Sequence, residues 1–121
     1  MSDFAEVRTF ALALPEATEE PHFDMSSFRV RGKIFVTVPP DGTCLHVFVD
    51  EEETAACVAE DPVAFETLRW GKRISGVRVH LAAAPPDRVR ELIEDAWRRK
   101  APKRLAAGYR PAPPGVPDTG S

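Results

Sequence analysis

The sequence predicts a two-layer α+β fold in which helices cover one face of an antiparallel sheet. Three observations lead to this prediction. Short segments alternate apolar with polar or basic residues, which is typical of strands with one packed face. Turn residues separate neighbouring strand segments, so these strands pair antiparallel. Segments with helical spacing of apolar residues lie before, between and after the strands and supply the second layer.

The helices are predicted from apolar spacing and from their end signals. The first covers residues 3–14, capped by Asp3, and ends at Pro15 because the residue before a proline avoids the helical region. Asp50 caps the second helix, and Pro86 occupies the first helical position of the third, where its missing N–H costs nothing. These further helices are predicted over 51–60, over 86–100 and from Pro102 to Gly108.

An acidic loop over 15–25 precedes the first predicted strand. Five strands follow, over 26–31, 33–38, 43–49, 65–70 and 76–82. Reading 31–33 as a three-residue loop places Val30 opposite Ile34 and keeps this hairpin in phase. The inward phases of strand and helix bring together a core of Val36, Val47, Val79, Leu92 and Trp97. The outward sheet face then carries Arg29, Arg31, Lys33, Phe35, Thr37, Cys44, His46, Phe48, Arg78 and His80.

The length of 121 residues predicts one domain over 1–109, followed by a Pro/Gly-rich disordered tail over 110–121. The apolar fraction of 43% is sufficient for folding without a metal, a cofactor or a disulfide. Cys44 and Cys57 are expected to be reduced. The absence of a secretory leader pattern and of any long apolar run predicts a cytoplasmic protein without a membrane segment.

Charge is segregated along the chain. Residues 1–66 hold 14 acidic and 4 basic side chains, whereas residues 67–121 hold 5 acidic and 12 basic ones, although the net charge is only −3. A chain polarised in this way presents a basic face if the fold keeps its cations together, and neutralises itself if the two halves interleave.

Several segments together resemble the MmcQ/YjbR family of small bacterial proteins. The segments that carry the resemblance are Leu14-Pro15, Glu19-Glu20-Pro21-His22-Phe23, Phe28-Arg29-Val30-Arg31-Gly32-Lys33-Ile34-Phe35, Trp70-Gly71-Lys72-Arg73, and Trp97 with Ala101-Pro102-Lys103. The resemblance spans about residues 3–108. It implies a fold like that of CyaY and frataxin, and DNA binding through a "double wing" motif. The iron site of frataxins is not implied, because Arg29 and Arg31 occupy the first strand, where those proteins carry acidic residues.

The leading functional hypothesis is a non-enzymatic protein with no catalytic residues and no metal ligands, which binds DNA without sequence preference. The predicted phosphate contacts are Arg29, Arg31, Lys33, Lys72, Arg73 and Arg78. The basic run over 98–104 either adds contacts or complements the helix dipole. The alternative is a module that binds a protein or a small ligand, with a groove between His22, Trp70 and Lys72.

Two further clusters allow more than one interpretation. The acidic run over 50–53 suits a helix N-terminus better than a metal site. Cys44 and His46 share one strand face and could ligate a metal or act as nucleophile and base, although core or sheet packing is favoured for the cysteine. His22 is expected to fix its loop against the sheet.

Overall fold

The computed structural model describes residues 3–109, and the predicted tail over 110–121 lies outside them. Four helices and six strands make up this part of the chain. In chain order they are α1 (Phe4–Ala13), β1 (Ala17–His22), β2 (Met25–Val30), β3 (Lys33–Val38), β4 (Cys44–Val47), α2 (Glu51–Glu60), β5 (Phe65–Trp70), β6 (Arg73–His80), α3 (Pro86–Lys100) and α4 (Lys103–Gly108).

The strands form one antiparallel sheet in the order β1-β2-β3-β4-β6-β5. Helix α3 packs on β3 and β4, α2 packs on β5 and β6, and α1 packs on β1 and α3. The predicted α+β class with two layers is therefore confirmed. No helix within residues 3–109 combines the length and the apolar character that crossing a bilayer requires.

The core lies between the sheet and the helices. The five residues predicted to form it are all buried in one cluster, and this confirms the inward phases of those elements. The predicted caps also form, because Asp3 accepts a hydrogen bond from the Glu6 N–H at 2.9 Å and Asp50 accepts one from the Glu53 N–H at 2.8 Å. Pro86 begins α3 as predicted.

The prediction of a loop over 15–25 was wrong for most of its length, because β1 occupies residues 17–22. This strand lies at the edge of the sheet, where only one side of the backbone is paired. An edge position tolerates the carboxylates of Glu19 and Glu20 and the missing N–H of Pro21. The sequence of β1 also lacks the apolar alternation that identified the other strands.

The predicted register of the β2–β3 hairpin was wrong by one residue. Val30 pairs with Lys33 and not with Ile34, so the turn consists only of Arg31 and Gly32. Both turn residues have positive φ, 52° and 80°, which is the pattern of a type I′ turn. Ile34 consequently lies half-buried on the outward face.

The prediction that Phe35 faces outward was also wrong, because the same hairpin contains a bulge. Arg29 pairs with Ile34 and Phe28 pairs with Val36, which leaves Phe35 as an extra residue on β3. The bulge interrupts the alternation, and the Phe35 ring is fully buried in the core instead of facing solvent.

Candidate functional site

The turns of two hairpins emerge at the same end of the sheet. All neighbouring strands are antiparallel, so the strand order makes β2, β4 and β5 run in one direction. The β2–β3 turn and the β5–β6 turn follow two of these strands directly. Both turns therefore lie at the end of the sheet where β4 also ends.

The two hairpins project beyond the central strand that separates them. β4 ends at Val47, which pairs with Val36 on one side and with Val77 on the other. Each hairpin continues past this level by roughly 10 Å, at about 3.4 Å per residue. Beyond β4 the two hairpins are separated by two strand spacings, roughly 10 Å.

The two hairpins share a backbone design. Each has a two-residue turn, and each has one extra residue in its second strand at the same distance from the turn, Phe35 in β3 and Ser75 in β6. Their faces are inverted, because Val30 is buried whereas Trp70, its counterpart before the turn, is exposed. A half-turn rotation around the β4 axis would place one hairpin on the other. This approximate symmetry accounts both for the matching turn and bulge positions and for the inverted faces.

Four cationic side chains occupy these tips. They are Lys33, Arg69, Lys72 and Arg73, called here the tip cations, and all are exposed. Within residues 3–109 they form no hydrogen bond or ion pair. Trp70 stands among them with 81% of its surface exposed. Sequence reasoning missed Arg69, although its place before the second turn matches that of Arg29 before the first.

The other three predicted phosphate contacts already have partners within the fold. Arg29 donates hydrogen bonds to the Ser27 hydroxyl at 3.0 Å and to the Pro21 carbonyl at 3.2 Å. Arg31 forms a two-point ion pair with Glu16, in which its hydrogen bonds hold the pKa of the carboxyl below the ordinary value.

Arg78 lies near the middle of the sheet and not at the tips. Its Nε is 3.5 Å from His46 Nε2, and its Nη1 is 3.9 Å from a Glu66 carboxylate oxygen. Burial, followed by the charge of Arg78, holds the pKa of His46 below its ordinary value. Arg78 is therefore remote from the tip cations along the strand direction.

The basic run over 98–104 begins at the same end of the molecule but is partly engaged. Arg99 donates to the Phe48 carbonyl at 2.9 Å, which ties the end of α3 to the end of β4. Arg98 donates to the Ala106 carbonyl at 3.3 Å. The first two cations of the run thus satisfy backbone carbonyls, and the later ones remain exposed or half-buried.

Acidic residues also reach this end, because α2 begins there directly after β4. Asp50, Glu52 and Glu53 line an open cavity together with Arg98 and Arg99. The two charged halves of the sequence therefore meet here, and the tip cations project beyond the place where they meet.

The prediction of a groove between His22, Trp70 and Lys72 was wrong, because the fold places His22 far from the other two residues. His22 ends β1, the edge strand on one side, whereas Trp70 ends β5, the edge strand on the other. These strands run in opposite directions, and the full width of the sheet lies between them. His22 instead meets the ring of Phe23 edge-on, with 4.8 Å between centroids.

Cys44 has a histidine partner, but it is not His46. The Cys44 thiol lies 3.3 Å from Nδ1 of His80, which is its direct cross-strand neighbour on β6. His46 contacts Arg78 instead. No group of three or more residues within 3–109 is arranged to hold a metal ion.

Comparisons with known proteins agree with this fold. No curated protein matches the chain. A crystal structure of the Deinococcus radiodurans protein DR2400, assigned to the domain family DUF419, superposes with a TM-score of 0.69 at 19% identity, covering 80% of this chain and 77% of that one. The YjbR family model matches residues 12–99, which include both projecting hairpins. The chain therefore belongs to the YjbR family.

Proposed function

We propose that this chain is a non-enzymatic cytosolic protein that binds DNA without sequence specificity through the tips of its two hairpins. One observation carries the proposal: four cations without a partner in residues 3–109, and one exposed tryptophan, project from the same end of the sheet on two parallel ribbons. Unpaired cations are available for phosphates, and an exposed aromatic ring can stack on a base or wedge into a base step.

The partners of the other basic residues restrict the proposed surface to the tips. Arg31 would have to exchange its ion pair with Glu16 for a phosphate, and Arg29 would have to leave two hydrogen bonds. The tip cations lose only water when they meet a phosphate. Contacts to the phosphate backbone carry no sequence information, so the binding is expected to be independent of sequence.

The test measures fluorescence anisotropy of labelled duplexes of unrelated sequence while sodium chloride is raised from low concentration. Wild type is expected to bind all duplexes alike, with affinity falling steeply with salt. Lys33→Ala, Lys72→Ala and Arg73→Ala are each expected to reduce the log–log salt slope by about 0.9 for every phosphate that the side chain neutralises. Trp70→Ala is expected to weaken binding with little change in this slope, because stacking involves no counterion release.

Arg90→Ala is the matched control. Arg90 is an exposed cation near the start of α3, at the opposite end of the molecule. Its removal changes the net charge by the same amount, and the slope should stay unchanged. Absence of binding at low salt, or equal effects of Arg90→Ala and the tip variants, would contradict the proposal.

The second candidate is a protein- or small-ligand-binding module, and a different observation favours it. Phe23 is 91% exposed at the β1–β2 turn, at the end of the sheet opposite the tips. It borders an open cavity of about 710 Å³ that Phe4, Arg8 and Met25 also line. Absence of DNA binding at low salt in the wild type, together with loss of partner capture in Phe23→Ser, would support this candidate.

A further inference from the structure

Three side chains on the helix-free face of the sheet form a continuous chain of hydrogen bonds. Cys44 on β4 and His80 on β6 are directly paired across the two strands, with 3.3 Å between Sγ and Nδ1. The other ring nitrogen of His80, Nε2, bonds a carboxylate oxygen of Glu66 on β5. Three neighbouring strands thus place a thiol, an imidazole and a carboxylate in sequence.

The carboxylate determines which nitrogen of His80 faces the thiol as an acceptor. Glu66 accepts a hydrogen bond from the Nε2–H group of His80. In a neutral ring Nδ1 then carries no proton, and it accepts a hydrogen bond from the Cys44 thiol. A thiol hydrogen-bonded to a histidine that is itself oriented by a third group is the arrangement that activates cysteine nucleophiles.

The strand pairing holds this geometry in place. The His80 N–H donates to the Ala64 carbonyl at 2.8 Å, and the Leu81 N–H donates to the Thr43 carbonyl at 3.0 Å. These backbone bonds fix β6 between its two neighbours at the level of the three side chains. Two other charged or titratable groups face the cluster, Arg78 at 3.9 Å from Glu66 and His46 beside Arg78.

The cluster is accessible to small molecules. Cys44 is half-buried, and the side chains of His80 and Glu66 are 35% and 48% exposed. The second cysteine, Cys57, provides a contrast within the same chain. It is fully buried under Arg88, and burial raises the pKa of its thiol to about 11. Of the two cysteines, Cys44 alone combines access with a base.

We propose that Cys44 is a thiol modification site that reacts with hydrogen peroxide and other small electrophiles, with His80 as its base and Glu66 orienting His80. His80 takes the thiol proton, and the sulfur attacks one oxygen of the peroxide. An S–O bond forms as the O–O bond breaks, and the departing hydroxide takes the proton from His80 and leaves as water. The sulfur is oxidised by two electrons to sulfenic acid, and the peroxide is reduced to water.

The experiment follows both cysteines of the full chain by mass spectrometry. Iodoacetamide alkylation and trapping of sulfenic acid after peroxide treatment are measured in the native protein and in the chain unfolded in guanidinium. Cys44 is expected to react about tenfold faster in the native protein than in the unfolded chain, because a free thiol is only a few per cent thiolate at neutral pH. Cys57 is expected to be protected in the native protein.

Variants identify the base. His80→Gln is expected to remove the acceleration, and Glu66→Gln to reduce it and to alter its pH profile. His46→Gln is the matched control, since this histidine lies on the same face without touching Cys44, and it should leave the rate unchanged. Native Cys44 reacting no faster than unfolded Cys44 would overturn the proposal even if the variants failed to fold. An unchanged rate in a folded His80→Gln protein would overturn it as well.

Discussion

Trp97 connects separate parts of the fold through a single side chain. Its ring is fully buried at the centre of the core. Its indole N–H donates to the Pro15 carbonyl at 3.0 Å, in the connection between α1 and β1. The ring of Tyr109 meets it edge-on at 5.1 Å. The side chain therefore anchors α3 both to the core and to the beginning of the sheet.

Replacing Trp97 by alanine should be among the most damaging single changes in this protein. Trp97→Ala is expected to lower the free energy of unfolding by about 3–5 kcal/mol, because it opens a large cavity in the core. Trp97→Phe retains most of the ring and loses the hydrogen bond to Pro15, so its destabilisation should be smaller. Urea unfolding followed by circular dichroism measures both. Equal midpoints for wild type and Trp97→Ala would contradict this account of the core.

His46 makes stability depend on pH near neutrality. Its pKa is lowered in the fold by burial and by Arg78, so the unfolded chain binds this proton more readily than the folded one. The free energy of unfolding therefore has its full value above the ordinary histidine pKa of about 6.5, and the contribution linked to His46 decreases as the pH falls below it.

The free energy of unfolding should decrease between about pH 7.5 and about pH 5.5, around the ordinary histidine pKa of about 6.5. In His46→Gln this decrease should be smaller, because glutamine does not titrate. Urea titrations at several pH values measure the difference. The ion pair between Glu16 and Arg31 does not contribute to this change, because the pKa of Glu16 is lowered by Arg31 and its carboxylate stays ionised down to a lower pH. Parallel pH curves for wild type and variant would disprove the role of His46.

At the scale of elements, β6 approaches β4 so closely that one position accepts only glycine. A Cβ on Gly76 would lie 2.2 Å from the Val47 carbonyl oxygen and 3.0 Å from the Phe48 Cα. Both of these are backbone atoms, so neither can rotate away. The glycine therefore allows the second hairpin to pass the end of β4.

Gly76→Ala should force these strands apart and lower stability by about 1–3 kcal/mol, the usual cost of overpacking. Gly108→Ala in α4 is the control, because its Cβ would meet open space. It should be neutral or slightly stabilising, since alanine favours helix. Thermal unfolding compares the two, and similar melting temperatures would contradict the close approach.

Helix boundaries were predictable from sequence wherever a repeating pattern or an end signal existed. Strand boundaries were less accurate, because the strands predicted over 43–49 and 76–82 are Cys44–Val47 and Arg73–His80. The helices followed from apolar spacing, from the capping residues Asp3 and Asp50, and from Pro86 at the first position of α3. β1 was missed because an edge strand needs no apolar alternation. The burial of Phe35 was missed because a bulge adds a residue that leaves no signal in the sequence.

The candidate sites were predictable only in part, for a related reason. The tip cations lie beside turns, which sequence indicates well, whereas the partners of Arg31 and Arg78 depend on strand pairing. The Cys44–His80–Glu66 cluster joins residues from three strands. Its existence depends on the registers of β4, β6 and β5, which no local pattern specifies.

At the scale of the whole molecule, opposite charges share the end that carries the tips. The acidic start of α2 lies directly behind the projecting hairpins. It stabilises the helix through its cap and dipole, and it repels any polyanion that approaches the tips. If the tips bind DNA as proposed, this helix should lower the affinity that the hairpins provide.

Glu52→Gln should consequently tighten DNA binding at low salt. Asp87→Asn removes the same charge at the start of α3, which lies at the other end of the molecule, and should have a smaller effect. Anisotropy titrations with one duplex compare the two variants. An equal gain from both would indicate that only net charge matters, and no gain from Glu52→Gln would place the bound DNA away from this end.

The two edges of the sheet differ in how they receive another strand. β1 carries Pro21, which lacks an N–H, and two carboxylates, so a second chain gains little by pairing there. β5 contains no proline and remains the more receptive edge.

Two copies joined antiparallel along β5 would be related by a two-fold axis perpendicular to the strands. Their hairpin tips would then point in opposite directions, so such a dimer would bridge two separate duplexes and could not clamp one short duplex.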